Sequence, residues 1–275
     1  MKIGLALGGG GARGLAHIPM LEVFDELGIK PAIIAGCSMG ALVGAAYACG
    51  VPAREMRLQA EKILSNRLGA ARYVFGTKKS KLTDILSLQG LLSLHLQGEK
   101  LVELVLPDSV ARNIEDCAIP FRVITTDFER MEEQVISSGN LVRAVAASIA
   151  IPGIIMAPVI DGHIHVDGGV TNPVPFDHVR GGMDIVVAID VTGKPKPSKR
   201  AKHSNMELAL GSMLIMFNQL AELRRAANPP DIYIRPDVDQ FGAGDFFKSR
   251  EIFEAATASK DKLKRALELR LITAG

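Results

Sequence analysis

The chain has 275 residues, enough to bury a large core, with 48% hydrophobic and 23% charged residues, as in an ordinary soluble globular protein. A formal net charge of +2 and the absence of tryptophan give no basic surface and few stacking rings, which argues against nucleic acid as a partner. Three cysteines, Cys37, Cys49 and Cys117, are too few and too irregularly spaced for a disulfide framework or a metal-ligand set. No secretory leader and no apolar run long enough to span a membrane can be read, so a reducing cytoplasm is the expected compartment.

Ile3 to Leu7 reads as a buried strand, and Gly8 to Gly14 as a glycine-rich turn. Leu15 to Leu27 has helical periodicity and stops at Gly28; Pro19 falls early, where a lost hydrogen bond costs least. Pro31 to Ala35 is a second strand, so the first two strands are expected to be parallel with a right-handed crossover. Helices follow at Ala41 to Ala48 and Pro52 to Leu68, and a leucine-rich segment runs from Lys81 to Val105.

Phe121 to Asp127 is a strand with Glu133 to Ser137 as its partner, and Asn140 caps a helix over Leu141 to Ile149. Val159 to Val166 carries Asp161-Gly162 between two apolar arms, a hairpin signal. Ile185 to Val191 suits the centre of a parallel sheet. The basic stretch Lys194 to His203 reads as a surface loop, where contact with anionic head groups is the alternative to simple solvation. Ser204 and Glu207 form a capping box for a helix over Met206 to Leu220, whose apolar side chains are expected to pack in the core, an adaptable surface for a partner or a membrane being the alternative. Ile232 to Ile234 is a late strand, and Ser249 to Leu269 a final amphipathic helix.

Chemistry concentrates at Gly36-Cys37-Ser38-Met39-Gly40, between a strand and a helix. A serine at such an apex has an exposed Oγ at a helix N-terminus, and Gly36 and Gly40 relieve crowding in the tight turn. Cys37 is then the residue of the elbow that points into the sheet. Gly9-x-Gly11-x-x-Gly14 also fits a dinucleotide fingerprint, but no acidic residue ends the next strand, and no Gly-Lys-Ser/Thr follows for a P-loop. Beside a nucleophile, the turn's amides suit an oxyanion hole, each donor contributing about 3–4 kcal/mol to the transition state. Arg13 is expected to brace the turn by bonding carbonyls.

A serine needs a base. Asp167, followed by Gly168 and Gly169 at a strand end, is preferred to Asp161, which belongs to the hairpin turn. His163 and His165 share a strand face with no third ligand in view, so a strand surface is expected rather than a metal site, and His17 reads as a packed or capping residue. Two rival classes remain: an α/β-hydrolase using a Ser-Asp-His triad with His178 or His203, and a non-catalytic lipid-binding or regulatory protein.

Four motifs, Gly8 to Gly14, Gly36 to Gly40, Ala147 to Pro152 and Asp167-Gly168-Gly169, together resemble the patatin-like phospholipase family, in particular its compact bacterial members. The resemblance covers residues 5–180 and implies a three-layer α/β/α fold with a mostly parallel sheet, residues 181–275 completing the same single domain. It implies a histidine-free dyad with Ser38 as nucleophile and Asp167 as base. It also implies oxyanion donors from Gly9, Gly10, Gly11 and Ala12, supported by Arg13, Gly14, Gly36, Gly40, Gly168 and Gly169. Lipid acyl esters would be the substrates, with neither metal nor organic cofactor; peripheral membrane contact is a further partner the chain could have. Ala147 to Pro152 would shape the wall of the site.

Overall fold

A computed structural model describes residues 1–65, 97–194 and 205–273. Five parallel strands form the centre of one sheet: β1 (Ile3–Leu7), β2 (Ile33–Cys37), β3 (Phe121–Asp127), β7 (Ile185–Ile189) and β8 (Ile232–Ile234), in the order β3-β2-β1-β7-β8. Beyond them, β4 (Glu132–Ile136), β5 (Val159–Ile160) and β6 (His163–Asp167) add antiparallel pairings at the β3 end. The hairpin between β5 and β6 turns on Asp161 and Gly162, both with positive φ (51° and 85°). That is the backbone an Asp-Gly pair favours, because glycine carries no penalty there.

The strands alternate large and small residues, and this sets the two faces. Ile3, Leu5 and Leu7 of β1 and Ile185, Val187 and Ile189 of β7 enter the main core. On the other face Ala6, Ala35 and Ala188 meet Val174, Phe176 and Val179. Small residues are required there: a Cβ on Gly4 would lie 2.1 Å from the Val179 carbonyl oxygen. The main core is covered by α1 (His17–Glu26), α2 (Met39–Ala48), α4 (Gly98–Val105) and α5 (Leu141–Ser148), with α3 (Ala53–Ser65) packed alongside. The opposite face receives Ala221 of α6 (Asn205–Ala227). Helices thus flank a mixed, mostly parallel sheet, as expected.

Several boundaries differ from expectation. The first helical stretch opens as a 3-10 turn over Gly11–Ala16 before α1 begins, which places Pro19 in the first turn of α1. The final helix is two, α7 (Ser249–Ala255) and α8 (Thr257–Thr273); the break at buried Ala256 turns Ile252 and Phe253, then Leu263 and Leu267, to the core. The expectation that α6 packs its apolar residues in the core is corrected: Leu208, Ile215, Met216 and Leu223 are exposed, while Phe217 and Ala221 are buried. Most of the leucine-rich segment, the loop 195–203, Ser204 of the capping box, His95 and His203 lie outside the described residues.

Candidate active site

The edge of β3 explains how residues 129 positions apart come together. Cys37 of β2 pairs with Ile124, and on the next residue of the same edge Asp167 of β6 pairs with Thr125. The other edge of β3 is filled by β4. Where β2 ends and the chain turns away, β6 therefore arrives, and its last residue faces the turn. The Ser38 hydroxyl donates to Asp167 Oδ2 at 2.7 Å.

Ser38 stands at the strand-to-helix apex with φ 52° and ψ −124°. This is a strained region for a residue with a Cβ, of the kind found where a nucleophile is projected from a sharp elbow. The turn is packed against its neighbours. A Cβ on Gly40 would lie 2.0 Å from the Leu7 carbonyl oxygen, and one on Gly36 2.5 Å from that of Gly40. Ser148 was not anticipated as a functional residue. Its Oγ accepts the Ser38 N–H at 2.8 Å and donates to the Ile124 carbonyl at 2.6 Å, tying the elbow to β3. Its place in Ala147 to Pro152 was legible as site wall; its bond to a residue 110 positions away was not.

Asp167 is buried, and the loss of water pushes its carboxyl up to about 6; hydrogen bonds from Ser38 and the Gly169 N–H (2.8 Å, to Oδ1) oppose the shift. Backbone pairing holds the residue in place, its N–H donating to the Ala150 carbonyl at 3.1 Å. Gly168 and Gly169 permit close approach: a Cβ would lie 2.2 Å from the Ile124 carbonyl oxygen in one case and 2.4 Å from the Phe217 ring in the other. Beyond them Thr171 and Asn172 are anchored. Arg224 donates to the Thr171 carbonyl, while Asn172 donates to Glu133 and Asp177.

The glycine-rich turn lies against the elbow, a Cβ on Gly9 falling 3.1 Å from that of Ser38. The expected donor set is corrected here. The Gly9 N–H donates to the Pro173 carbonyl (2.9 Å) and the Ala12 N–H to that of Ala243 (2.7 Å). Among the described residues, no acceptor meets the N–H groups of Gly10 or Gly11. Gly10 passes so close to Val191 that a Cβ would lie 2.1 Å from its carbonyl oxygen, and Gly14 packs likewise on Met39. Arg13 bonds carbonyls, but distant ones: Val191 (3.1 Å), Thr192 (2.5 Å) and Phe241 (3.2 Å). His17 Nε2 donates to the Gly8 carbonyl at 2.8 Å, and burial lowers its pKa to about 4, so the ring is neutral. Both side chains hold the turn from behind.

The other described histidines are occupied elsewhere. His178 pairs with Glu133, which raises its pKa, while the Ser38 hydroxyl bonds Asp167 and, among the described residues, no histidine. His165 is buried and contacts Thr125 Oγ1 at 3.0 Å, so the strand-surface expectation is corrected for it. His163 Nδ1 lies 3.5 Å from Asp127 Oδ2. With Glu129 these two could approach a metal ion, but each carboxylate already accepts a backbone N–H, from Arg130 and Ile164 respectively. Cys37 is buried, and burial raises its thiol well above the ordinary value.

Among known proteins, the chain is 28% identical, over 96% of its length, to lysophospholipase nte1 of Aspergillus niger, of which it spans 18%. It is 32% identical, over 74% of its length, to an uncharacterized NTE family protein of Mycobacterium bovis, of which it spans 53%. It therefore spans between about a fifth and half of these relatives. The structure of VipD from Legionella pneumophila has the same fold, with a TM-score of 0.52 at 13% identity, covering 96% of this chain and 66% of that one. The family model for patatin-like phospholipase matches residues 5–180, which include the elbow, the glycine turn and Asp167, and the chain belongs to that family.

Proposed function

We propose that this chain is a serine acyl hydrolase that cleaves lipid acyl esters through an acyl-enzyme on Ser38, with Asp167 as the only side-chain base. The observation that carries this reading is the 2.7 Å hydrogen bond from the Ser38 hydroxyl to a buried carboxylate, on an elbow of positive φ. As Oγ attacks the ester carbonyl, Asp167 takes the hydroxyl proton. A carboxyl at about 6 is a stronger base than a solvated one, yet remains mostly ionised at neutral pH. The unengaged amides of Gly10 and Gly11 stabilise the tetrahedral oxyanion. Asp167 returns the proton to the leaving alcohol, then activates the water that cleaves the acyl-serine. No metal or organic cofactor enters these steps.

The lysophospholipase named among the relatives favours a single-chain phospholipid as substrate. A small apolar cavity of about 50 Å³ that meets the elbow at Met39 and runs along α2, lined by Leu15, Leu42, Val43 and Met56, is the proposed seat for the acyl chain. It is far smaller than the roughly 300–1,000 Å³ of pockets that enclose a drug-sized ligand, so short acyl esters are the expected best reporters. The test combines fluorophosphonate labelling with hydrolysis of p-nitrophenyl esters and lysophosphatidylcholine. Wild type should label once and turn over at least one ester, and Ser38→Ala should do neither. Turnover that survives Ser38→Ala would overturn the assignment.

A further inference from the structure

Cys49 and Cys117 lie 68 positions apart, and nothing in their spacing joins them. The fold brings their sulfurs to 2.9 Å as free thiols, about 0.9 Å longer than a covalent S–S bond. Cys49 follows α2, the helix that begins behind Ser38, and Cys117 lies in the segment leading into β3. The Ile119 N–H donates to the Ala48 carbonyl at 3.0 Å, so the backbones on either side of the pair are already in register. Both cysteines are half-buried, within reach of a small reagent, whereas Cys37 is sealed in the sheet.

We propose that Cys49 and Cys117 form a thiol–disulfide exchange site, oxidised by low-molecular-weight disulfides of the glutathione type to an internal disulfide that ties α2 to the lead-in of β3. The Cys49 thiolate attacks one sulfur of the reagent, forming a mixed disulfide and expelling one thiolate. Cys117 then loses its proton and attacks the Cys49 sulfur, expelling the second. The two protein thiols are oxidised, the reagent disulfide is reduced to two thiols, and the two protons leave with them. The order of attack follows the surroundings of Cys49: the neighbouring Cys117 thiol and the backbone N–H of Ala111 both favour its thiolate and hold its pKa below the ordinary thiol value.

The experiment treats the whole reduced protein with oxidised glutathione and follows intact mass, free thiols and melting. The wild type should lose the mass of two hydrogens, map as a Cys49–Cys117 linkage, and keep one thiol that reacts only after denaturation, Cys37. Its melting midpoint should rise by roughly 5 °C or more, reversed by dithiothreitol. Cys117→Ser should hold a stable glutathione adduct at Cys49, and Cys49→Ser should react at least tenfold more slowly. Stable adducts on wild type without ring closure, intermolecular dimers, no reaction, an unchanged midpoint, or equal rates for the two variants would each overturn the proposal.

Discussion

Asp167 and Asp190 stand at strand ends in two separate regions of one sheet, and both are almost fully buried, at 1% and 0% exposure. Their surroundings differ in kind. Asp190, just after β7, accepts the Arg235 guanidinium, the Tyr233 hydroxyl (2.7 Å) and the Thr192 N–H (2.8 Å). Asp167 receives one hydroxyl and one N–H, and among the described residues no cation pairs with it. A carboxylate against a guanidinium has a structural partner; one left with neutral donors is placed to take up a proton. Glu133 repeats the first pattern. Burial raises it, but His178, Asn172 and Arg224 more than offset that, and it ends below the usual carboxylate range.

Exchanging each carboxylate for its amide should separate the two roles most sharply. Asp167→Asn is expected to reduce kcat/KM for ester hydrolysis by about 10²–10⁴-fold with the fold intact, measured alongside circular dichroism. Asp190→Asn should keep turnover within about tenfold at low temperature, but lose about 3 kcal/mol in urea unfolding. That figure is the lower end for a broken buried pair, because Arg235 keeps Glu222 as a partner at 2.9 Å. Similar activity losses from both substitutions would erase the distinction.

Titration sharpens the same contrast. The Asp167 carboxyl binds its proton more tightly in the folded state, at about 6 against 3.8 unfolded. Its contribution to stability is therefore fully present at pH values below 3.8, and is lost as pH rises to about 6, by up to about 3 kcal/mol. Asp167→Asn should be the more stable protein at pH 8, and its advantage should vanish near pH 4. Activity of the wild type should rise over the same interval, as the base ionises. Glu133 works with the opposite sign, its stabilisation being lost as pH falls. A pH–stability difference between wild type and Asp167→Asn that is flat from pH 4 to 8 would contradict the account of Asp167.

The smallest expected effect lies at the elbow's support. Ser148→Ala leaves the buried Ser38 N–H without its acceptor, which should cost about 1–3 kcal/mol in stability. If the elbow then tilts, kcat should fall by about tenfold, with KM little changed. Unaltered kcat would mean that the glycine packing alone holds Ser38.

Local features could be read from the chain because local chemistry sets them. The β5–β6 hairpin follows from Asp161-Gly162, the elbow from small residues around Ser38, and the alternating faces of β1 from the period of a strand. The exposure of Ile215 and Met216 could not be read, since an apolar helix carries no mark of what covers it. The glycine turn was legible as a turn, but which of its amides stay free was not, because Gly9 and Ala12 lose theirs to carbonyls of distant segments, Pro173 and Ala243.

Residue order was thus enough to define the strands, the sharp serine turn and the family pattern, all governed by contacts a few positions long. Only the folded sheet decided how Asp167, already legible as the base, reaches Ser38, what Arg13 and Ser148 hold, and that Cys49 touches Cys117. These pairings depend on strand register along one edge of β3 and on the packing of α2, and register links residues that no local rule connects.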